Sequence, residues 1–557
     1  MRVSHVRCCA AVMAAMLSTA VAQTNPPDIG TTLREMQQQR AVPPPPPKSS
    51  LDILQSAPST PEDSQPDALI PVAQIKVTGS TAYPPRRLEA LVSQYTGHPV
   101  SLNDLRKGAA AITRFYRTHG YTLARAYVPS QAVHEGMVEI RVLEGHYGKL
   151  VIEDDAGVSA GLVRRLMKNT ARSNLVQSAP LDRDLLLLQE LQGVVATATL
   201  RPGDEVGTAD LIIHLTSAER FRGSVEVDNF GNVYTGKWRA GLAVAGSNLT
   251  GFGDQLALRG VFTDQHGVHY GRANYEIPVD VARVGAAVSR TDYTLGKQFA
   301  ELDAHGHATV GSLYLQFPMV RSLTASLDSQ LAFSYGSLKD EVTATSTNNP
   351  RSSREVTLSV SGTIRDNGGM TSGTLSYVRG RLDIRDPTAL QIDQATADTS
   401  GNFDKLSYGA LRLQNLGLGF SLYLAVSGQR AGRNLDPSEK FNLGGPDAVR
   451  AYPQGEGVGD SGILGTLEVR HAIEALLPYG RPELIAFFDE GHVNTNQDSF
   501  LPGSNSVKLR GAGIGLNLFM ADGVRIRASW AWKLGESPAQ SAPDSPSRGW
   551  LRVGWDF

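Results

Sequence analysis

The segment Val524-Arg525-Ile526-Arg527-Ala528-Ser529-Trp530-Ala531-Trp532-Lys533 limits the fold of this chain more than any other. Side chains alternate across an extended backbone. Val524, Ile526, Ala528, Trp530 and Trp532 therefore share one face, and Arg525, Arg527, Ser529, Ala531 and Lys533 the other. Burying two arginines and a lysine on one face of a soluble core is costly unless each is paired. A strand with lipid on one side and water on the other carries that pattern naturally. Lys237 to Leu242 and Leu411 to Gln414 repeat it, and the chain closes on Leu551, Val553, Trp555 and Phe557 opposite Arg552, Gly554 and Asp556.

Between Glu219 and Phe557 about sixteen such strands can be placed, an even number as bacterial barrels require. The eighth is expected to begin near Arg354 and the eleventh near Gly419. A ring of that size encloses an aqueous interior. No uninterrupted apolar run of about 18 residues follows the amino-terminal leader, so a helical span is not available and a closed barrel is the remaining way to satisfy the backbone in lipid. Numbering the strands makes Ala431 to Asp460 the sixth loop on the outer side, far longer than a hairpin needs.

The first 22 residues read as a secretory signal: Arg2 and Arg7, an apolar core from Ala10 to Leu17, then Ala20-Val21-Ala22. The only cysteines, Cys8 and Cys9, lie within it, so the mature chain is expected to hold neither a disulfide nor a thiolate metal site. Residues 23–40 contain a short helix, expected over Thr31 to Arg40, and 41–70 a proline-rich linker. Two units of the order strand, helix, helix, strand, strand then follow, at 71–145 and 146–218, ahead of a barrel at 219–557. In the first, Ser101 and Asp104 are spaced for a capping box.

A formal charge of −2 gives no cationic face for nucleic acid. Gly459-Asp460-Ser461-Gly462 copies a serine-protease sequence but stands at a loop-to-strand junction without a histidine partner. His305 and His307 lack a third ligand, and no phosphate-cradling loop is present. No catalytic residue, cofactor or metal is expected.

The chain resembles the outer-membrane transporters of two-partner secretion, the TpsB family within the superfamily of barrel-assembly insertases. Asp228-Asn229, Gly231, Asn248-Leu249 and Gly251-Phe252-Gly253-Asp254 fit the family's barrel opening. Val449-Arg450-Ala451-Tyr452 matches the Val-Arg-Gly-Tyr motif of its sixth loop with alanine for glycine, and Phe487, Asp489 and Gly491 match its barrel-wall motif. Trp555 and Phe557 resemble its carboxy-terminal sorting signal.

The resemblance implies a sixteen-stranded transmembrane β-barrel, two periplasmic α+β POTRA domains and an amino-terminal plug helix. It implies Arg450 paired with Asp489 as a latch in the lumen. A guanidinium bridges a carboxylate through two parallel bonds, and in a wet lumen such a pair is worth about 1 kcal/mol. Alanine adopts a positive φ only at a cost, so Ala451 raises the question of the loop-tip backbone.

The implied function is export of a large secreted partner protein, of adhesin or cytolysin type, unfolded and without nucleotide hydrolysis. The POTRA domains would bind the partner, by strand addition at Tyr121 to Val128 or Ala209 to Leu215. The other expected partners are outer-membrane lipid and the barrel-assembly machinery, with the protein itself a monomer. The rival functions are a barrel-assembly insertase and a passive porin.

Overall fold

The computed structural model of the chain describes residues 27–37, 51–53, 69–473 and 480–557. The expected signal at 1–22 and most of the 41–70 linker lie outside the described residues.

The carboxy-terminal part is a closed antiparallel barrel of sixteen strands, from Phe221–Asp228 to Ser547–Asp556, numbered here one to sixteen in chain order. Strand sixteen returns to strand one through Ser224↔Asp556 to Asp228↔Arg552. Phe557 extends that seam, accepting from Gly223 N at 2.7 Å and donating to Gly223 O at 2.9 Å. Along strand fifteen (Val524–Lys533), Trp530 and Trp532 are exposed while Ala531 is fully buried. Outward apolar side chains alternate with inward polar ones because each face meets a different solvent. Trp555 and Phe557 also face outward, ring centroids 5.0 Å apart.

Strand eight is Thr347–Asp366, and so begins seven residues before the expected Arg354. Asn348, Asn349 and Pro350 have turn composition, yet they pair with Glu341, Asp340 and Lys339 of strand seven (Ala325–Val342). A long neighbouring strand supplies the ladder there and overrides local preference.

Ahead of the barrel are two α+β units. In the first, Gln74–Thr78, Met137–Leu143 and Arg125–Tyr127 form a three-stranded sheet with Met137–Leu143 central. Helix Leu102–Thr118 covers it, its amino end closed by the Ser101–Asp104 capping box. The strand expected over Tyr121 to Val128 is confined to Arg125–Tyr127, because the residues before it turn, with Ala124 N bonded to Tyr121 O. In the second unit, Thr208–Ser217 lies between Val194–Pro202 and His146–Asp154. Both its edges are paired, so Ala209 to Leu215 cannot accept an added strand. The edge of Val194–Pro202 already carries a parallel partner, Leu51–Ile53 from the linker.

The amino-terminal helix is Ile29–Gln37 and lies inside the barrel. Ile29, Leu33 and Met36 pack on Tyr270, Tyr293 and Leu338 of the wall and on Tyr234 of the loop between strands one and two. Ile29 N donates to Asp340 Oδ1 at 2.9 Å, and Arg34 Nε to the Lys440 carbonyl of the sixth loop at 3.2 Å. Gly30 meets that loop so closely that a Cβ would stand 2.5 Å from Ser438 N.

Candidate functional site: the sixth loop against the barrel wall

Strand eleven (Phe420–Ala431) and strand twelve (Ser461–Ala472) are joined by residues 432–460, which fold back into the barrel. A two-residue hairpin, Phe441–Asn442 with Val458–Gly459, narrows the loop. Its tip is tied by Tyr452 N to Val449 O at 3.1 Å and Val449 N to Leu443 O at 2.8 Å. Val449, Ala451 and Tyr452 are fully buried with Leu443 and Phe487.

Arg450 reaches the wall at strand thirteen (Arg481–Asn494). Its Nε donates to Asp489 Oδ2 and its Nη2 to Asp489 Oδ1, both at 2.8 Å, a two-pronged bridge that fixes orientation as well as distance. Nη1 donates to Glu468 Oε1 of strand twelve at 2.7 Å. The guanidinium carbon lies 3.3 Å from the centre of the Phe487 ring, so one face of the group is stacked while its edges are hydrogen-bonded. Thr466 Oγ1 donates to Asp489 Oδ1 at 3.0 Å, and Arg470 Nε to Glu468 Oε2 at 2.9 Å. Two cations thus face two anions.

The setting differs from a wet lumen. Arg450 is 3% exposed, Asp489 and Glu468 0%. Water therefore screens the pair little, and the figure of about 1 kcal/mol for an exposed pair does not apply. Removing one member strands a buried charge, at about 3–5 kcal/mol.

Ala451 lies outside the positive-φ residues, so the tip has no need of glycine's conformational freedom there. Its methyl instead abuts strand fourteen (Ser506–Phe519) at Gly511, where a Cβ would stand 2.5 Å from that of Ala451. Gly491 does the same for Leu443: a Cβ there would lie 2.5 Å from Leu443 Cδ2. Both glycines make room for the loop. Tyr452 donates from its hydroxyl to Ser537 O at 3.2 Å, which joins the tip to the loop between strands fifteen and sixteen. Glu456 accepts there from Gln540 N at 2.7 Å, Ser541 N at 2.8 Å and Ser541 Oγ at 2.9 Å.

Trp550, whose Nε1 donates to the Arg450 carbonyl, completes the site with Glu468 and Glu456, and none of the three stands out in the sequence. Glu468 lies between Thr466 and Arg470 on an ordinary lumen-facing row, and nothing local separates it from other wall charges. Trp555 and Phe557 are distant, on the outer surface, with Trp555 Nε1 donating to Asp522 O at 3.0 Å.

A closed sixteen-stranded barrel with paired α+β units at its amino end, and a long loop locked onto its inner wall, defines an outer-membrane transporter with periplasmic POTRA domains. The chain belongs to the family described as haemolysin secretion/activation protein ShlB/FhaC/HecB, whose pattern matches residues 207–518. The ShlB-type POTRA domain matches residues 70–145. The chain is similar to the heme/hemopexin transporter protein HuxB of Haemophilus influenzae (strain 86-028NP), 29% identical over 531 residues and 93% of each chain.

Among solved structures, CdiB from Escherichia coli superposes with a TM-score of 0.71 at 18% identity, over 97% of this chain and 100% of that one. BamA from Haemophilus ducreyi lacking POTRA domains 1–3 gives 0.52 at 13% identity, over 87% of this chain and 100% of that one. These two likenesses are of fold.

Proposed function

We propose that this outer-membrane transporter exports one large secreted partner protein, of adhesin or cytolysin type, unfolded through its lumen. The observation that carries the proposal is what fills the barrel: one removable helix, Ile29–Gln37, and one removable loop, 432–460, which touch each other at Gly30 and Arg34. A permanent plug would be built from wall side chains. A channel that must pass a polypeptide needs parts that withdraw. The family's description as secretion proteins and the transporter HuxB support the direction of transport.

In this reading residues 71–145 and 146–218 capture the partner below the membrane, with Arg125–Tyr127 as one of the two outer strands of the first unit's sheet. Main-chain pairing at such an edge tolerates variable sequence. Arg450 and Asp489 hold the sixth loop in the resting position, and Val449, Ala451 and Tyr452 seat its tip against the wall of Phe487 and Gly491. Trp555 and Phe557 present the last strand to the barrel-assembly machinery. Folding of the partner outside draws it forward, so no nucleotide is consumed. The transporter works as a monomer in lipid.

The test is to express a candidate large secreted protein, encoded beside this one, with and without the transporter. The partner should reach the medium only when the transporter is present. Partner retained in the periplasm in both cells rejects the proposal, and loss of other barrels from the membrane on deleting the transporter favours an insertase instead.

A further inference from the structure

The second POTRA unit meets the barrel at two places, and neither belongs to the latch. One is the turn between strand two (Arg239–Ser247) and strand three (Gln255–Thr263). Gly251 O accepts from Ser159 N at 2.8 Å, Gly253 O from Gln192 N at 3.3 Å, and Asn248 Nδ2 donates to Ala156 O at 3.0 Å. Buried Asp254 braces this turn, accepting from Thr250 N at 2.9 Å and Thr250 Oγ1 at 2.8 Å. Gly253 has a positive φ of 69°, and a Cβ there would stand 2.9 Å from Leu191.

The other contact is ionic. Helix Ser178–Gln189 ends at Glu190, where a carboxylate is out of place because the helix terminus already carries partial negative charge. Two arginines from the barrel compensate. Arg283 of strand five (Ala282–Thr294) donates to Glu190 O at 2.7 Å and to its Oε2 at 3.3 Å. Arg321 of strand six (Ala304–Arg321) donates to both carboxylate oxygens of Glu190. Asp328 accepts from Arg321 Nη2 at 2.6 Å, which holds that guanidinium in place from behind.

We infer that Glu190, clasped by Arg283 and Arg321, is a positioning residue for export: it fixes the second POTRA unit under the periplasmic mouth so that a captured segment is aimed into the lumen. The turn at 248–254 is a compact hinge of two main-chain bonds and one from the Asn248 side chain, which constrain position more than angle. The clasp adds the second point that an angle needs. This inference rests on the export reading above.

The experiment compares wild type, Glu190→Gln and Glu190→Lys in the full-length protein. Spin labels at Val206→Cys and Leu418→Cys, both highly exposed, report the angle between unit and barrel. Glu190→Lys should broaden the label distance distribution and lower export about tenfold, because a like charge then faces both arginines. Barrel assembly and partner binding should be unchanged, with Glu190→Gln intermediate in both readouts. An unchanged distance distribution, or full export with a broadened one, overturns the inference. The distance needs no export, and wild-type export is the control for the wider reading, so the two can fail separately.

Discussion

Trp550 Nε1, on the last strand of the barrel, donates to the main-chain carbonyl of Arg450 at 2.7 Å. The residue whose side chain is bound by strands twelve and thirteen is thus bound through its backbone by strand sixteen. The sixth loop ties the closing strand to wall strands three and four places away round the barrel.

Arg450→Ala should free the loop tip. The lost bridge leaves Asp489 and Glu468 buried and short of a cation, at about 3–5 kcal/mol, enough to unseat a loop without unfolding a barrel. Protease cleavage within residues 432–460 should increase and partner export fall, while the barrel still migrates as a folded species. Arg450→Lys should rescue poorly, because an ammonium cannot form the two-pronged bridge. Wild-type export from Arg450→Ala would remove the latch from the mechanism.

Gly511→Ala should produce the same opened loop by steric means, since the new methyl would stand 2.5 Å from that of Ala451. The double variant Gly511→Ala with Ala451→Gly should recover much of the lost protection, because the contact is methyl against methyl. Absence of recovery would place the strain elsewhere on strand fourteen.

Deleting residues 24–40 should raise single-channel conductance in planar bilayers. That deletion removes the bond from Ile29 N to Asp340 and the packing of Leu33 and Met36 against the wall. Equal conductance would show that the sixth loop alone closes the pore.

In the first POTRA unit, Glu144 accepts from Thr81 N and Ala82 N at 2.8 Å and from the Tyr116 hydroxyl at 2.7 Å. Burial pushes its carboxyl up, but the bonds from Thr81, Tyr116 and Ala82 outweigh it and hold it below the usual glutamate value of 4.5. A lowered folded value means stability that is present above 4.5 and lost as pH falls through the folded value. The protection factors for hydrogen exchange in helix Leu102–Thr118, corrected for the slower intrinsic exchange in acid, should fall with pH in the wild type. Glu144→Gln should exchange faster already at pH 7, at a cost of about 1–3 kcal/mol, and depend less on pH. A parallel pH response in both proteins would count against Glu144 as the titrating group.

The barrel was legible because its pattern is carried by chemistry that does not depend on context: Trp530 and Trp532 need lipid, and Arg525 and Arg527 need water. Strand ends were less so. Thr347 to Arg351 continue a ladder supplied by strand seven, and composition alone reads them as a turn. At the site, Arg450 and Asp489 stood out through motif resemblance. Glu468 and Trp550 did not, because each takes its part only when the loop comes down on it. The dryness of the site was equally hidden. It follows from two loops closing over it, and no single residue of those loops is unusual.

The four charges around Arg450 balance only while the loop is seated. The opening proposed above would withdraw Arg450 and with it one positive charge, leaving the wall with Arg470 against Glu468 and Asp489. The vacated collar is then anionic. An open pore should be selective for small cations over anions, a bias that reversal potentials under a salt gradient would register and that Asp489→Asn would weaken.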